Sequence, residues 1–515
     1  FNRFGFDSAE HTKNNKKSYT SDSRILAELI KTKCWSSSCG KQIRTSDFRT
    51  HFFALYKHSL KTTLKFLSYK IGTRLSHPPP THTLDIFASV CKNIKLDVSM
   101  IINRDFYLNK LISARQNNMV KVITGIRRCG KSFLLFNLFK EYLSQNGIDE
   151  SHFIEIQFDD FAFRNYRNAE EAYNFVKSRI VDSKQYYIFL DEVQLLENFE
   201  DVLNGFLHIP NADVYVTGSN AKFLSKDIIT EFRGRGDEIH ISPLSFSEFM
   251  SVYSGSVEDG WKEYITYGGL PAVVLLKSPE KKAEYLKNIF AETYITDIVE
   301  RNKVKNTSEL EDLINMVSSS IGSLTNPKKI ADTFVSNKKK ISQETVKKYL
   351  EYLSDSFLVS ASYRYDIKGK KYINTPLKYY FSDIGLRNAR LNFRQMEETH
   401  IMENIIYNEL VMRGYNVDVG VVQISERNKA GKSCRVQYEI DFVVNKGFKR
   451  YYIQSAFALP DREKVLQEER PFLNISDSFK KIIIEKTNIH SYYTEEGILV
   501  LSIFDFLLNE NSLEI

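Results

Sequence analysis

Between Val120 and Phe136 the chain reads V-K-V-I-T-G-I-R-R-C-G-K-S-F-L-L-F. Gly125, Gly130, Lys131 and Ser132 stand at the G-x-x-x-x-G-K-[ST] spacing of a phosphate-cradling P-loop. An apolar run precedes the glycines and helix-forming text from Phe133 to Tyr142 follows, so the stretch is expected to fold as strand, tight loop and helix. Backbone N–H groups can turn inward around a phosphate only where side chains leave room for the bend, hence the two glycines. Lys131 brings a compact positive charge to the β- and γ-phosphates, and the Ser132 hydroxyl can ligate Mg²⁺. The start of the helix offers its partial positive charge to the same anion. Gly125, Ile126, Arg127, Arg128, Cys129, Gly130, Lys131, Ser132 and Phe133 are therefore the expected ATP-binding segment, with Lys131 also catalytic.

The text around the loop alternates between strand and helix. A short helix is expected over 104–117, a strand over 153–158, a helix over 169–181, and then Y-Y-I-F-L-D-E from Tyr186 to Glu192. A buried strand ending in two acids would carry its carboxylates to the P-loop, where Asp191 can hold Mg²⁺ and Glu192 can activate the attacking water. A fourth strand, 213–216, ends in Thr217-Gly218-Ser219-Asn220, whose hydroxyls could touch the γ-phosphate. Arg233 and Arg235, flanking Gly234 before a fifth strand at 238–241, have the mobility a finger onto transition-state charge needs. Successive βα units imply a largely parallel sheet covered by helices, with the ligand at the C-terminal strand ends.

These residues carry a family resemblance. G-I-R-R-C-G-K-S, F-L-D-E-V-Q, V-T-G-S-N, F-R-G-R, I-S-P-L-S-F-S-E-F (241–249) and Y-G-G-L-P (267–271) resemble the bacterial and archaeal AAA-type P-loop ATPases that carry a C-terminal domain of unknown function. The resemblance implies an AAA-type core over 100–250, a helical lid and winged-helix region over 251–390, and a restriction-endonuclease-like α/β domain over 391–515. It also implies Ser219 or Thr217 as sensor and Arg235 as finger, acting within the chain or on a neighbour in a homo-oligomer.

The residues support those parts unequally. A short helix at 327–334 precedes one capped by Ser342 with an apolar stripe of Val346, Tyr349, Leu350, Leu353 and Phe357. Two alternating strands, 359–367 and 371–380, then flank a basic tip. That is winged-helix grammar, and outward Lys347 and Lys348 could meet DNA or a protein partner. Farther on, Glu403 and Glu409 lie on a helix, and Glu439 and Asp441 on a strand. A nuclease of this class needs a second carboxylate and a lysine beyond the aspartate, but Gln454 and Ala456 occupy those positions, so phosphodiester chemistry is not expected.

Charge is distributed unevenly. Residues 1–99 hold 17 of the 71 lysines and arginines against 7 of the 64 acids, leaving 54 basic and 57 acidic residues for the remainder. That first stretch has no methionine before Met100 and reads as upstream read-through, a disordered basic tail or a targeting segment. Cys34 and Cys39 lack a second pair at metal spacing, and the five cysteines suit unpaired thiols in a reducing cytoplasm. With no apolar run of eighteen residues, a soluble protein without membrane contact is expected. The favoured function is Mg²⁺-dependent ATP hydrolysis driving an effector module. An ATP-controlled binding switch for DNA or protein ranks second and an ATP-regulated nuclease third.

Overall fold

The near-continuous apolar runs of the P-loop strand and its neighbours call for a sheet buried on both faces. In the computed structural model, which describes residues 101–218, 235–427 and 433–515, β1 (Val120–Thr124) and β3 (Tyr186–Asp191) are buried at every position. The basic stretch 1–99 with Cys34 and Cys39, and also Ser219 and Arg233, lie outside the described residues. With β2 (Phe153–Gln157), β4 (Ala212–Thr217) and β5 (Gly236–His240) these strands form an all-parallel sheet of order β2-β3-β4-β1-β5. Period-two alternation sends Tyr187, Phe189 and Tyr215 into one apolar cluster and Ile188, Leu190 and Val214 into another.

Helices cover both faces. On the first side lie α1 (Asp105–Ser113) and α2 (131–145), whose middle, Leu134–Phe139, is wound as a π-helix. On the second lie α3 (Ala169–Arg179), capped by Asn168, and α4 (Phe199–Leu207). After the sheet, a capping box between Ser245 and Glu248 starts α5 (Phe246–Met250), followed by α6 (Val257–Tyr267). The Gly268-Gly269-Leu270-Pro271 turn leads to α7 (279–302), α8 (Thr307–Ser319), α9 (Pro327–Ser336) and α10 (Gln343–Asp355). Ser342 caps α10 as expected, and Val346, Tyr349, Leu350 and Leu353 are its buried stripe.

The expected wing has a different setting. Strands β6 (Val359–Asp366) and β7 (Lys371–Phe381) pair as a hairpin, but β6 also runs parallel to β8 (Asn416–Arg427). The hairpin is thus one edge of a mixed sheet with β9 (Ser433–Lys446), β10 (Lys449–Ala456), β11 (Lys480–Glu485), β12 (Tyr492–Tyr493) and β13 (Leu499–Ser502). Its order is β12-β13-β11-β10-β9-β8-β6-β7. Between β7 and β8 come α11 (Ile384–Arg390) and α12 (Glu398–Met412); α13 (Arg462–Leu473) and α14 (Ile503–Leu508) complete the second sheet's cover. One hydrophobic cluster runs from Phe139 through Trp261 and Leu350 to Phe442 and Leu501, so the two sheets share a core. Among the described residues, no helix is long and apolar enough to cross a membrane.

Candidate functional site

The site is built where β1, β3 and β4 end on the same side of the parallel sheet. Beyond Thr124 the chain turns through Gly125 (φ 140°), Arg128 (φ 62°) and Gly130 (φ 100°), conformations that favour glycine at the two bracketing positions. At Gly125 the need is also steric, since a Cβ would fall 2.2 Å from the Ile241 carbonyl oxygen. Lys131 is 5% exposed and folds back over the loop, its Nζ donating to the carbonyls of Gly125 at 3.0 Å and Ile126 at 3.2 Å. The ammonium therefore lies over the mouth of the cradle, held by backbone oxygens.

Ser132 begins the helix and donates from Oγ to Asp191 Oδ1 at 3.0 Å. Thr217, fully buried at the end of β4, donates to the same carboxylate oxygen and accepts from the Glu192 backbone N–H at 3.1 Å. Burial pushes the Asp191 carboxyl above its ordinary value, against the hydrogen bonds from Thr217 and Ser132, and the charges of Glu192 and Asp159 push the same way. A buried carboxylate beside a hydroxyl, short of positive charge, is a donor set that suits a hard divalent cation. Glu192 adopts φ 50°, uncommon for a side chain of its size, and accepts a hydrogen bond from Gln194 Nε2. The sequence-expected residues Lys131, Ser132, Asp191, Glu192 and Thr217 thus meet at one edge of the sheet.

Arg235 does not join them. It precedes β5, and its carbonyl accepts from Val120 N at the start of β1. Five residues of strand at roughly 3.3 Å each put it about 16 Å from the strand end where the loop sits. Its exposed side chain belongs to the opposite edge of its own sheet.

Around the loop, His240 and Asp383 escaped the sequence reading, while Arg127 and Pro271 stood in its motifs without the contacts they make here. His240, at the end of β5, packs on Phe357 and pairs its Nδ1 with Thr124 Oγ1 at 3.0 Å; burial, then Lys131, lowers its pKa to about 4, so it is neutral at pH 7. Arg127 reaches Asp297 at 2.8 Å, and Arg301 sits 3.2 Å from the same carboxylate, tying the loop to α7. Pro271 faces Gly130, where an added Cβ would lie 3.8 Å from it. In the same turn Gly269 N donates to Asp383 Oδ2 at 2.8 Å and its carbonyl accepts from Leu244 N at 2.8 Å. Asp383, pushed up to about 6 by burial, follows directly on β7. The signal for this clamp was the Y-G-G-L-P text: at neighbouring Gly385 a Cβ would stand 2.0 Å from Tyr267 O.

In the second sheet Lys378 Nζ lies 2.8 Å from Glu403, 2.9 Å from Glu439 and 3.2 Å from Asp441. The ammonium donates to Glu403 and Asp441, and Glu439 adds a third negative charge as an ion pair. Burial alone would lower the Lys378 pKa, yet Glu403, Asp441 and Glu439 hold it above the ordinary lysine value. Burial pushes Asp441 up to about 7 even though Lys378 pulls it down. Ala456 is buried in apolar surroundings, and Gln454 Oε1 accepts from Asp441 N at 3.4 Å. Among the described residues, no group of three or more histidines, cysteines and acids is arranged to hold a metal ion. On α10, Lys347 and Lys348 point outward as expected, each in an ion pair with its own helix, to Glu351 at 3.9 Å and Glu344 at 3.3 Å.

A family model described as an AAA domain matches residues 117–250. A second, described as a domain of unknown function, matches 258–397, which takes in the helical stretch and the β6–β7 hairpin. An uncharacterized protein of Haemophilus influenzae is 35% identical over 415 residues, covering 79% of this chain and 99% of that protein. The chain belongs to the AAA-domain family. An uncharacterized protein of Methanocaldococcus jannaschii is 28% identical over 418 residues, covering 79% of this chain and 88% of that protein. A solved structure described as the Walker-type ATPase of Pyrococcus abyssi aligns with a TM-score of 0.41 and 16% identity, over 56% of this chain and 96% of that one. AAA-domain membership accords with the P-loop and the parallel five-stranded sheet.

Proposed function

We propose that this protein is a Mg²⁺-dependent ATPase whose nucleotide state is passed to the mixed C-terminal sheet. The observation that carries the reading is the 3.0 Å contact between Ser132 Oγ and Asp191 Oδ1 beside the glycine-bracketed loop. The loop's backbone N–H groups, from Arg127 to Phe133, bind phosphate oxygens. Lys131 exchanges its two carbonyl partners for the phosphates. Ser132 and Asp191 would hold a divalent cation, which would neutralise phosphate charge. Thr217 fixes both acids at once, through the Asp191 carboxylate and the Glu192 backbone. Glu192 orients the attacking water and takes its proton. Arg235, at the far edge of its own sheet, serves a neighbouring copy in a homo-oligomer.

The route to the second sheet runs from Gly130 through Pro271 and Gly269 to Asp383, the continuation of β7. The ion pairs on α10 leave little uncompensated charge for DNA and favour a protein partner. Phosphate release and fluorescent-nucleotide binding test the reading. Lys131→Ala should lose binding or turnover, whereas Glu192→Gln should keep binding and hydrolyse at least about 100-fold more slowly. Unchanged hydrolysis in both variants refutes it.

A further inference from the structure

Arg104 lies 21 residues before the first glycine of the P-loop, outside any motif, yet it is 4% exposed and makes three directed hydrogen bonds. Its Nη1 donates to the Cys129 carbonyl at 3.0 Å, its Nη2 to the Ser242 carbonyl at 2.8 Å, and its Nε to Glu248 Oε1 at 2.8 Å. The guanidinium also lies over the Tyr107 ring, 4.7 Å from its centroid, and the Tyr107 hydroxyl accepts from Ser242 N at 3.0 Å. Glu248 is fixed in turn, because its other oxygen accepts from Ser245 N at 2.9 Å in the capping box of α5.

A surface-facing arginine would make none of these contacts, and a purely structural one could be satisfied by Glu248 and Ser242 alone. The bond to Cys129 is the informative one. In a planar trans peptide the C=O and the following N–H point in opposite directions. Drawing the Cys129 carbonyl toward Arg104 therefore turns the Gly130 N–H away from it. On the Arg104 side a Cβ at Gly130 would lie 3.8 Å from Nη1. Gly130 itself stands at φ 100°, one of several conformations open to glycine, so an external hold selects this one.

We propose that Arg104 is a positioning residue for the nucleotide: it fixes the Cys129–Gly130 peptide with its N–H turned toward the phosphates and ties that peptide to the exit of β5. It is not a catalytic residue, since all three donor groups described are committed to the protein. The proposal rests on the nucleotide-binding reading above and adds a determinant of affinity to it. Lysine cannot replace the guanidinium, because a single ammonium on a flexible stem does not span three fixed acceptors in one plane.

The test is steady-state ATP hydrolysis with equilibrium binding of a fluorescent ATP analogue, on the full chain and its Arg104→Met and Arg104→Lys variants. For Arg104→Met, KM for ATP and the analogue Kd are expected to rise at least tenfold while kcat stays within about threefold, because Asp191 and Glu192 are untouched. Arg104→Lys should fall between. A role in folding alone would lower the active fraction, and so kcat, and leave KM where it was; that result overturns the proposal. Should Arg104→Met fail to fold, Glu248→Ala decides, since it removes the Nε anchor but leaves the carbonyl contacts: KM should rise at least threefold, and an unchanged KM overturns the proposal. Wild-type protein that binds no ATP analogue would overturn both this proposal and the ATPase reading. Wild-type binding with unmoved variants would overturn this one alone.

Discussion

Asp191→Asn should separate stability from activity in opposite directions. In the folded chain Asp191 is 5% exposed, and burial outweighs the hydrogen bonds from Thr217 and Ser132, so its carboxyl sits above its ordinary value. A folded pKa raised above the unfolded one means that the charged form is disfavoured by the fold. The associated stability is present below the unfolded value near 3.8 and lost as pH rises through the folded value. Asparagine imitates the neutral form. Its carbonyl oxygen can accept from both Ser132 and Thr217, as Asp191 Oδ1 does now, so the network survives while the buried charge goes. The nucleotide-free variant should therefore be more stable than wild type by on the order of 1 kcal/mol at pH 7.5. For a chain of this size that is a rise of ~1 °C in Tm. The gain should shrink as pH falls and the wild-type carboxyl takes up its proton. ATP hydrolysis should fall at least about 100-fold, because an amide is a poor ligand for a hard cation. Thermal unfolding at pH 4.5 and 7.5 without nucleotide, paired with phosphate release, measures both halves. A variant less stable than wild type at pH 7.5, or a gain that grows toward acid, would refute the reasoning.

Lys378→Met should destabilise the protein by about 3–5 kcal/mol in urea unfolding at pH 8, because it leaves Glu403, Glu439 and Asp441 without their shared cation. Much of the loss should return by pH 6, as Asp441, already pushed up to about 7, takes a proton more readily still; equal losses at the two pH values would contradict this. His240, buried and lowered to about 4, should contribute up to about 3 kcal/mol that is present above pH 6.5 and lost as pH falls toward 4. His240→Gln should then show a shallower decline in Tm between pH 7 and pH 4.5 than wild type, and parallel declines would count against it.

The nucleotide site was legible because its parts are contiguous. A strand, two glycines, a lysine and a serine follow one another in Val120–Phe136, and Asp191 and Glu192 end a run that is apolar without interruption. What stayed hidden depends on partners far away in sequence. Arg104 meets Glu248 across 144 positions, and no local pattern marks either as buried. Arg235 follows the family text, but its distance from the loop is set by the parallel register of β5 on β1, with Val120 beside Gly236 and Thr124 beside His240. In the second sheet, Ala456 offers no charge, while Lys378 supplies an ammonium to Asp441 from a strand 63 positions earlier. The β6–β7 hairpin was recognisable by alternation, which is the same for a free wing and for a sheet edge. Only the pairing of Arg364 with Val419 decides between them.

That pairing bears on how proteins of this kind can be recombined. A chimera joined at residue 390 would part β6 and β7 from the other six strands of the second sheet. The exposed flank of β8 would then offer unpaired backbone groups to any passing strand. The parallel-sheet part and the mixed sheet therefore cannot be exchanged as cassettes at that joint without breaking the second sheet.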